Sequence, residues 1–209
     1  MQGIRKHLSA QRKGDQPADP HRPDGARERI LKTAYDLFAH NGTRSVGIDT
    51  IIAKSGVAKM SLYRHFRSKQ DLVLCFLERR EALWTEDWLR RDVESRSGGP
   101  ETQLLAIFDV FDAWFHTEDF EGCSFINVLL EYPPGDPLHE AAAVQLAHIR
   151  GFLQGLARQA RLADIEAFAD TWHILMKGSI VAAGEGNRQA AKRAQTAARA
   201  VLAGWPRTA

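Results

Sequence analysis

Five side chains suited to phosphates and base edges fall between positions 59 and 65: Lys59, Ser61, Tyr63, Arg64 and His65. Two cations attract phosphate oxygens, while the hydroxyls and the imidazole hydrogen-bond to phosphates or to base edges in a groove. This set recognises a polyanion and breaks no bond. No Gly-rich phosphate loop, GxSxG elbow or HExxH pair occurs, so the chain is predicted not to be an enzyme. Glu118, Asp119 and Glu121 are clustered carboxylates on a predicted loop and read as a solvated patch. His116, His139, His148 and His173 are widely spaced, and Cys75 and Cys123 lie 48 residues apart. That spacing matches no metal-ligand motif, so no metal and no cofactor is expected.

The elements that position the five side chains follow from the apolar spacing. The segment Ile48–Phe66 reads as two short helices joined by Ser55-Gly56-Val57, a helix-turn-helix whose tight turn calls for a glycine. Ile48, Ile51, Ile52, Val57, Leu62 and Phe66 lock the pair together. Leu62 and Phe66, four apart, face inward and leave the polar set outside. A leading amphipathic helix is predicted from Ile30, Ala34, Leu37 and Phe38, ending at Asn41-Gly42. Ser68 to Asp71 matches a capping box for the helix behind, with Asp in place of the commoner Glu or Gln.

The rest of the chain also reads as helix. Breaks fall at Ser97-Gly98-Gly99-Pro100, near Glu121-Gly122, and at Pro133-Pro134-Gly135. They delimit helices over Leu104 to Phe115, Phe125–Leu130, Pro137 to Ala160, Asp164 to Ala183, and Arg188 to Ala203. No segment sustains period-2 alternation, so the predicted class is all-α with about nine helices. Residues 1–25, with three prolines and few large apolar groups, read as a flexible basic tail. Residues 26–72 read as the helix-turn-helix domain and 73–209 as a ligand-binding and dimerisation domain.

Charge divides along the same line. Of 209 residues, 28 are Lys or Arg and 26 are Asp or Glu, a formal net charge of +2. Residues 1–70 carry +8 and residues 71–209 carry −6. The basic third suits a polyanion and the acidic remainder repels one. No apolar run approaches the ~20 residues of a membrane span. With two cysteines and no apolar leader, a cytoplasmic protein without membrane association is expected.

Residues 27–80 resemble the DNA-binding domain of TetR/AcrR-family transcriptional regulators. The resemblance is carried by Arg29-Ile30-Leu31, Ala34, Leu37-Phe38 and Gly42, then Ile48, Ile51 and Ser55-Gly56-Val57, then Leu62-Tyr63-Arg64-His65-Phe66, Ser68-Lys69 and Leu72. Ile52, where a small residue is usual, and Val46, where Thr or Ser is common, depart from the pattern. The resemblance implies that Ser61 reads bases or phosphates and that Tyr63, His65 and Lys69 contact phosphates. Arg44 then reaches the backbone or a groove, and Lys59, Met60 and Arg64 reach base edges or a groove. It also implies a homodimer, formed through the last two helices, on a palindromic operator. Phe168, Trp172, Leu175, Ser179 and Ile180 on the eighth helix, and Ala190, Ala194, Ala197, Ala198 and Val201 on the ninth, are the expected interface.

Phe108, Phe111, Trp114 and Phe115 crowd one helix, and Phe120, Cys123, Phe125 and Ile126 follow, more aromatic surface than one packing stripe needs. Residues 121–127 resemble a GCxFxN-type segment found in part of the family near its effector cavity. Apolar pockets with a few polar groups are the default small-molecule sites. Trp172 and Met176 join this expected pocket, with Asn127, His173 and Tyr132 as its polar groups. The function expected is a repressor released from its operator by a small apolar or aromatic effector. The alternatives are a constitutive DNA-binding regulator without effector, and a redox sensor using Cys123.

Overall fold

A computed structural model describes residues 23–208 of the chain. The described residues form nine helices: α1 Pro23–Asn41, α2 Ile48–Ser55, α3 Lys59–His65, α4 from Lys69, α5 Gly99–Phe115, α6 Ser124–Glu131, α7 Pro137–Gln159, α8 Ile165–Gly184 and α9 Ala190–Gly204. α4 runs unbroken through three segments, α-helical Lys69–Arg80, π-helical Glu81–Arg90 and α-helical Arg91–Glu94. Among the described residues there is no strand beyond an isolated antiparallel bridge between Leu162 and Arg207. No described helix is long and apolar enough to cross a membrane.

Local chemistry sets the boundaries. Gly42 ends α1 at φ 77°, with its N–H donating to the Phe38 carbonyl at 3.0 Å. Ser68 caps α4 by accepting from the Asp71 N–H at 3.1 Å. The reciprocal bond of the expected capping box goes elsewhere: Asp71 Oδ2 accepts from the Arg67 N–H at 3.0 Å, one residue outside the cap. Pro100 lies in the first turn of α5, where its missing N–H costs nothing. Asp164 caps α8 by accepting from the Ala167 N–H. The π segment is the feature that apolar spacing did not announce.

The helices form two compact units, residues 23–81 with 124–144, and residues 82–123 with 145–208. The boundary drawn from sequence at 72/73 falls inside α4, whereas the units part at 81/82 and the first unit also takes in α6 and the start of α7. The proposed basic tail at 1–25, with Arg5, Lys6, Arg12 and Lys13, lies almost entirely outside the described residues.

The first unit is built around α1. Ile30, Ala34 and Phe38, spaced i, i+4, i+8, are buried together with Leu37, Ile51, Leu62, Leu72 and Phe76. Each large apolar side chain withdrawn from water contributes about 1.5–3 kcal/mol. Phe76 meets the rings of Tyr35 and Phe38 edge-on at 5.4 and 5.6 Å. Ile48 and Ile52, expected in the same lock, are only half-buried.

In the second unit α9 packs against α8 and α5. Gln195 on α9 donates through Nε2 to Asp109 Oδ1 at 2.8 Å and to the Leu105 carbonyl at 3.0 Å. Small residues Ala191 and Ala198 are fully buried at this contact, consistent with close helix approach. The chain end is fastened by Trp205, whose Nε1 donates to the Ala163 carbonyl at 2.7 Å. The Thr208 N–H donates to the Arg161 carbonyl at 2.9 Å.

Candidate functional site

The helix-turn-helix rests on one glycine. Gly56 sits at φ 65° and ψ 28°, and its N–H donates to the Ile52 carbonyl, closing α2. A left-handed residue there turns the chain in one step, which an L side chain resists. Val57 is buried behind the turn, and α3 follows from Lys59. Leu62 is wholly buried and Phe66 nearly so, which fixes the rotation of α3. The opposite face is thereby open: Met60 is 77% and Tyr63 42% exposed. Lys59 and Arg64 are exposed, and Ser61 and His65 half-buried. Lys59 Nζ lies 4.0 Å from Asp49 Oδ1, both well exposed, a pairing worth little in water. Seven residues of α3 thus place two cations, two hydroxyls, an imidazole and a thioether on one accessible face.

Arg44 precedes α2 and Lys69 opens α4, and a polar latch holds both. The carboxylate of Glu131, the last residue of α6, accepts from the Thr43 N–H at 3.0 and 3.1 Å. It also accepts from the Thr43 hydroxyl and from the Arg44 N–H at 3.2 Å. The Tyr132 hydroxyl lies 3.0 Å from Thr43 Oγ1, and the Arg44 guanidinium sits 5.2 Å from the centroid of the Tyr132 ring. Lys69 Nζ donates to the Arg44 carbonyl at 3.2 Å. Burial lowers the Lys69 pKa, with the nearby Glu131 charge opposing the shift. Thr43 is 1% exposed, so its N–H depends on Glu131 in place of water, while its hydroxyl has both Glu131 and Tyr132. A carboxylate at a helix C-terminus opposes the helix dipole; here the three donors offset that cost.

The latch explains Gly42 a second time. A Cβ on that residue would collide with Glu131 Oε1. His139, in the first turn of α7, supports the shelf from behind: its Nδ1 lies 2.9 Å from both the Leu129 and Tyr132 carbonyls. Carbonyls only accept, so that nitrogen carries the hydrogen. No local sequence signal marks Thr43 or Glu131 as partners, which lie 88 residues apart. Tyr132, expected among the effector's polar groups, is instead a partner of the loop between α1 and α2.

The expected pocket residues separate. Phe108, Phe111, Trp114, Phe115, Trp172, His173 and Met176 are all buried in the second unit, and so is Cys123. Phe125, Ile126 and Asn127 belong to the first unit; Phe125 is buried, Ile126 half-buried and Asn127 exposed. A redox sensor needs an accessible low-pKa thiol; Cys123 is buried, which weighs against that alternative. The aromatic rings form a continuous cluster, with Trp84 and Trp88 of α4 joining it. Trp114 meets Trp84 at 5.3 Å, Trp88 at 5.6 Å and Phe120 at 4.9 Å. His173 is 2% exposed; its pKa is lowered to about 3 by burial, then by the positive charges of Lys177 and Arg150.

Burial also corrects the expected interface. Phe168, Trp172, Ser179, Ile180, Ala190 and Ala198 lie inside the protomer, where the packing of α8, α9 and α5 already uses them. Leu175, Ala194 and Val201 are half-buried and Ala197 exposed. The open apolar residues of α8 are Ile174, 63% exposed, and Val181, 52% exposed. Gly178 between them is exposed as well.

A three-helix unit with an open, cationic and hydroxyl-bearing second helix defines a helix-turn-helix protein of the DNA-binding class. Residues 30–74 match the model for bacterial regulatory proteins of the tetR family. It is similar to the HTH-type transcriptional regulator QacR of Staphylococcus aureus, 31% identical over 71 residues, 34% of this chain and 38% of that protein. It is also similar to the HTH-type transcriptional activator FasR of Mycolicibacterium smegmatis, 36% identical over 78 residues, 34% of this chain and 36% of that protein. The aligned stretch thus spans a little over a third of these curated relatives. Over its greater length the chain is similar to a TetR-family transcriptional regulator from Streptomyces coelicolor. The TM-score is 0.77 at 27% identity, covering 85% of this chain and 94% of that one. All three of these relatives are named as transcriptional regulators or activators.

Proposed function

We propose that the chain is a ligand-responsive transcriptional repressor that binds a palindromic operator as a homodimer and is released by a small apolar or aromatic effector. The observation that carries the reading is the open face of α3, with Met60, Tyr63, Lys59 and Arg64 outward and Leu62 and Phe66 locked inward. In this reading Tyr63, His65 and Lys69 contact phosphates, Ser61 reads bases or phosphates, Lys59, Met60 and Arg64 reach base edges or a groove, and Arg44 reaches the backbone or a groove. One short helix reads only a few base pairs, so specificity requires two copies spaced about one DNA turn apart. Ile174 and Val181 on α8, with Ala194, Ala197 and Val201 on α9, supply apolar surface for that pairing.

The effector binds among the aromatic rings of the second unit and shifts the dimer toward a state with lower operator affinity; such coupling requires different effector affinities in the two states. Selection of bound duplexes from a random pool tests the DNA-binding reading. Inverted-repeat half-sites about ten base pairs apart support it, and a pool without enrichment overturns it. Transcription from a promoter carrying the selected site separates repression from activation.

A further inference from the structure

We propose that the effector is an aromatic acid, a flat apolar molecule bearing hydrogen-bond-accepting oxygens and a negative charge. The inference rests on the reading above that the second unit holds an effector. The indole N–H groups of Trp84, Trp114 and Trp172 are all buried without an acceptor. An indole nitrogen only donates, so apolar surroundings leave each one unsatisfied, and a buried Trp ordinarily finds a partner. The three belong to one aromatic layer. Trp84 touches Trp114 at 5.3 Å and Phe111 at 6.1 Å, Phe111 touches Phe108 at 6.5 Å, and Phe108 touches Trp172 at 5.7 Å. Flat rings suit the walls of that layer, and oxygens suit its donors.

The charge follows from the Trp172 end. The neighbouring His173 is 2% exposed, and its Nδ1 has no hydrogen-bond partner. His116 on α5 shows the usual solution, with Nδ1 bonded to the Asp112 carbonyl one turn back at 2.7 Å. His173 does not use its own helix in that way. Burial above all, then the charges of Lys177 and Arg150, keeps the His173 ring neutral. Arg150 is already paired with Asp170, Nε to Oδ1 at 3.5 Å, so Lys177 is the cation that repels a cationic ligand and attracts a carboxylate. Asp112 Oδ1 on α5 is buried without a hydrogen-bond partner, with Lys192 Nζ 3.7 Å from Oδ2, and the cationic probe tests that rival acceptor.

Calorimetric titration of the full chain with four probes of one shape tests this: 2-naphthoate, 2-acetylnaphthalene, naphthalene and (2-naphthyl)trimethylammonium. The expected order is naphthoate, acetylnaphthalene, naphthalene, then the cation, with naphthoate at least about tenfold tighter than the last two. Trp172→Phe keeps a ring and deletes a donor, and should weaken naphthoate several-fold while leaving naphthalene unchanged. Lys177→Gln should remove most of the preference for naphthoate over acetylnaphthalene. Equal or tighter binding of the cation, equal binding of naphthalene, or no binding by any probe overturns the proposal. The wild-type ranking decides even where a variant fails to fold. Naphthoate that binds as expected yet leaves operator affinity unchanged contradicts effector release and leaves the ligand chemistry standing.

Discussion

Replacing Glu131 with Ala removes the acceptor of three donors at the loop between α1 and α2 and strands the two N–H groups, whereas the Thr43 hydroxyl can still donate to the Tyr132 hydroxyl at 3.0 Å. Thr43 loses the acceptor for its N–H at 3.0 Å and for its hydroxyl, and Arg44 loses an N–H acceptor at 3.2 Å. Hydrogen bonds to a charged group contribute about 1.5–3 kcal/mol each in isolation. The three share one carboxylate, and water re-enters near exposed Arg44, so their sum overstates the loss. Thr43 is 1% exposed, so its stranded N–H carries most of the penalty. The expected destabilisation is about 3 kcal/mol, or roughly 6–12 °C in melting temperature for a chain of this size. Glu131→Gln keeps one carbonyl acceptor but no charge, and should lose about half as much. Urea and thermal unfolding followed by circular dichroism give the energies. Hydrogen exchange at the Thr43 and Arg44 amides reports where they act. Because Lys69 Nζ bonds the Arg44 carbonyl, operator affinity should fall in the same variants. Unchanged unfolding together with unchanged exchange at those amides would refute the latch.

Other expectations follow from the same geometry. His65→Ala and Lys69→Ala should weaken binding to every duplex and reduce the salt slope by about one each, whereas Ser61→Ala should change sequence preference more than slope; identical behaviour of all three sinks the division into phosphate and base contacts. His173 has a folded pKa of about 3, below its ordinary value. The unfolded chain therefore binds the proton first, and stability should fall as pH drops from about 6.5 toward 3, at up to about 1.4 kcal/mol per pH unit. Urea unfolding of wild type and His173→Gln across that range checks it, the variant being flatter. Ile174→Asp with Val181→Asp should shift sedimentation from dimer to monomer without lowering helix content; a persistent dimer moves the interface elsewhere.

The helix-turn-helix was legible because its determinants are local. Leu62 and Phe66 four apart, Gly56 at the turn and Ser68 at the cap each act within a few residues of themselves. The latch was not legible, since Glu131 lies 88 residues from Thr43 and a single Glu after two leucines carries no pattern. The α8 stripe misled for a different reason. Phe168, Trp172 and Ile180 are apolar on one side of the helix and Ile174 and Val181 on another, and sequence cannot say which side a protomer keeps for itself. α5 and α9 claim the first set. The pocket was overdrawn at Asn127, whose polar side chain lies exposed on α6, in the other compact unit.

In the proposed function the outer face of α3 reads DNA sequence in two copies. The measurement that tests it most directly is a fluorescence anisotropy titration of the selected duplex against a scrambled duplex of equal composition, at ~0.15 M salt. Two chains per duplex and at least about a thousandfold preference for the selected sequence are expected, the preference being reduced sharply by Arg64→Ala with Ser61→Ala. Equal affinity for the two duplexes, or a preference that survives loss of both side chains, would contradict it.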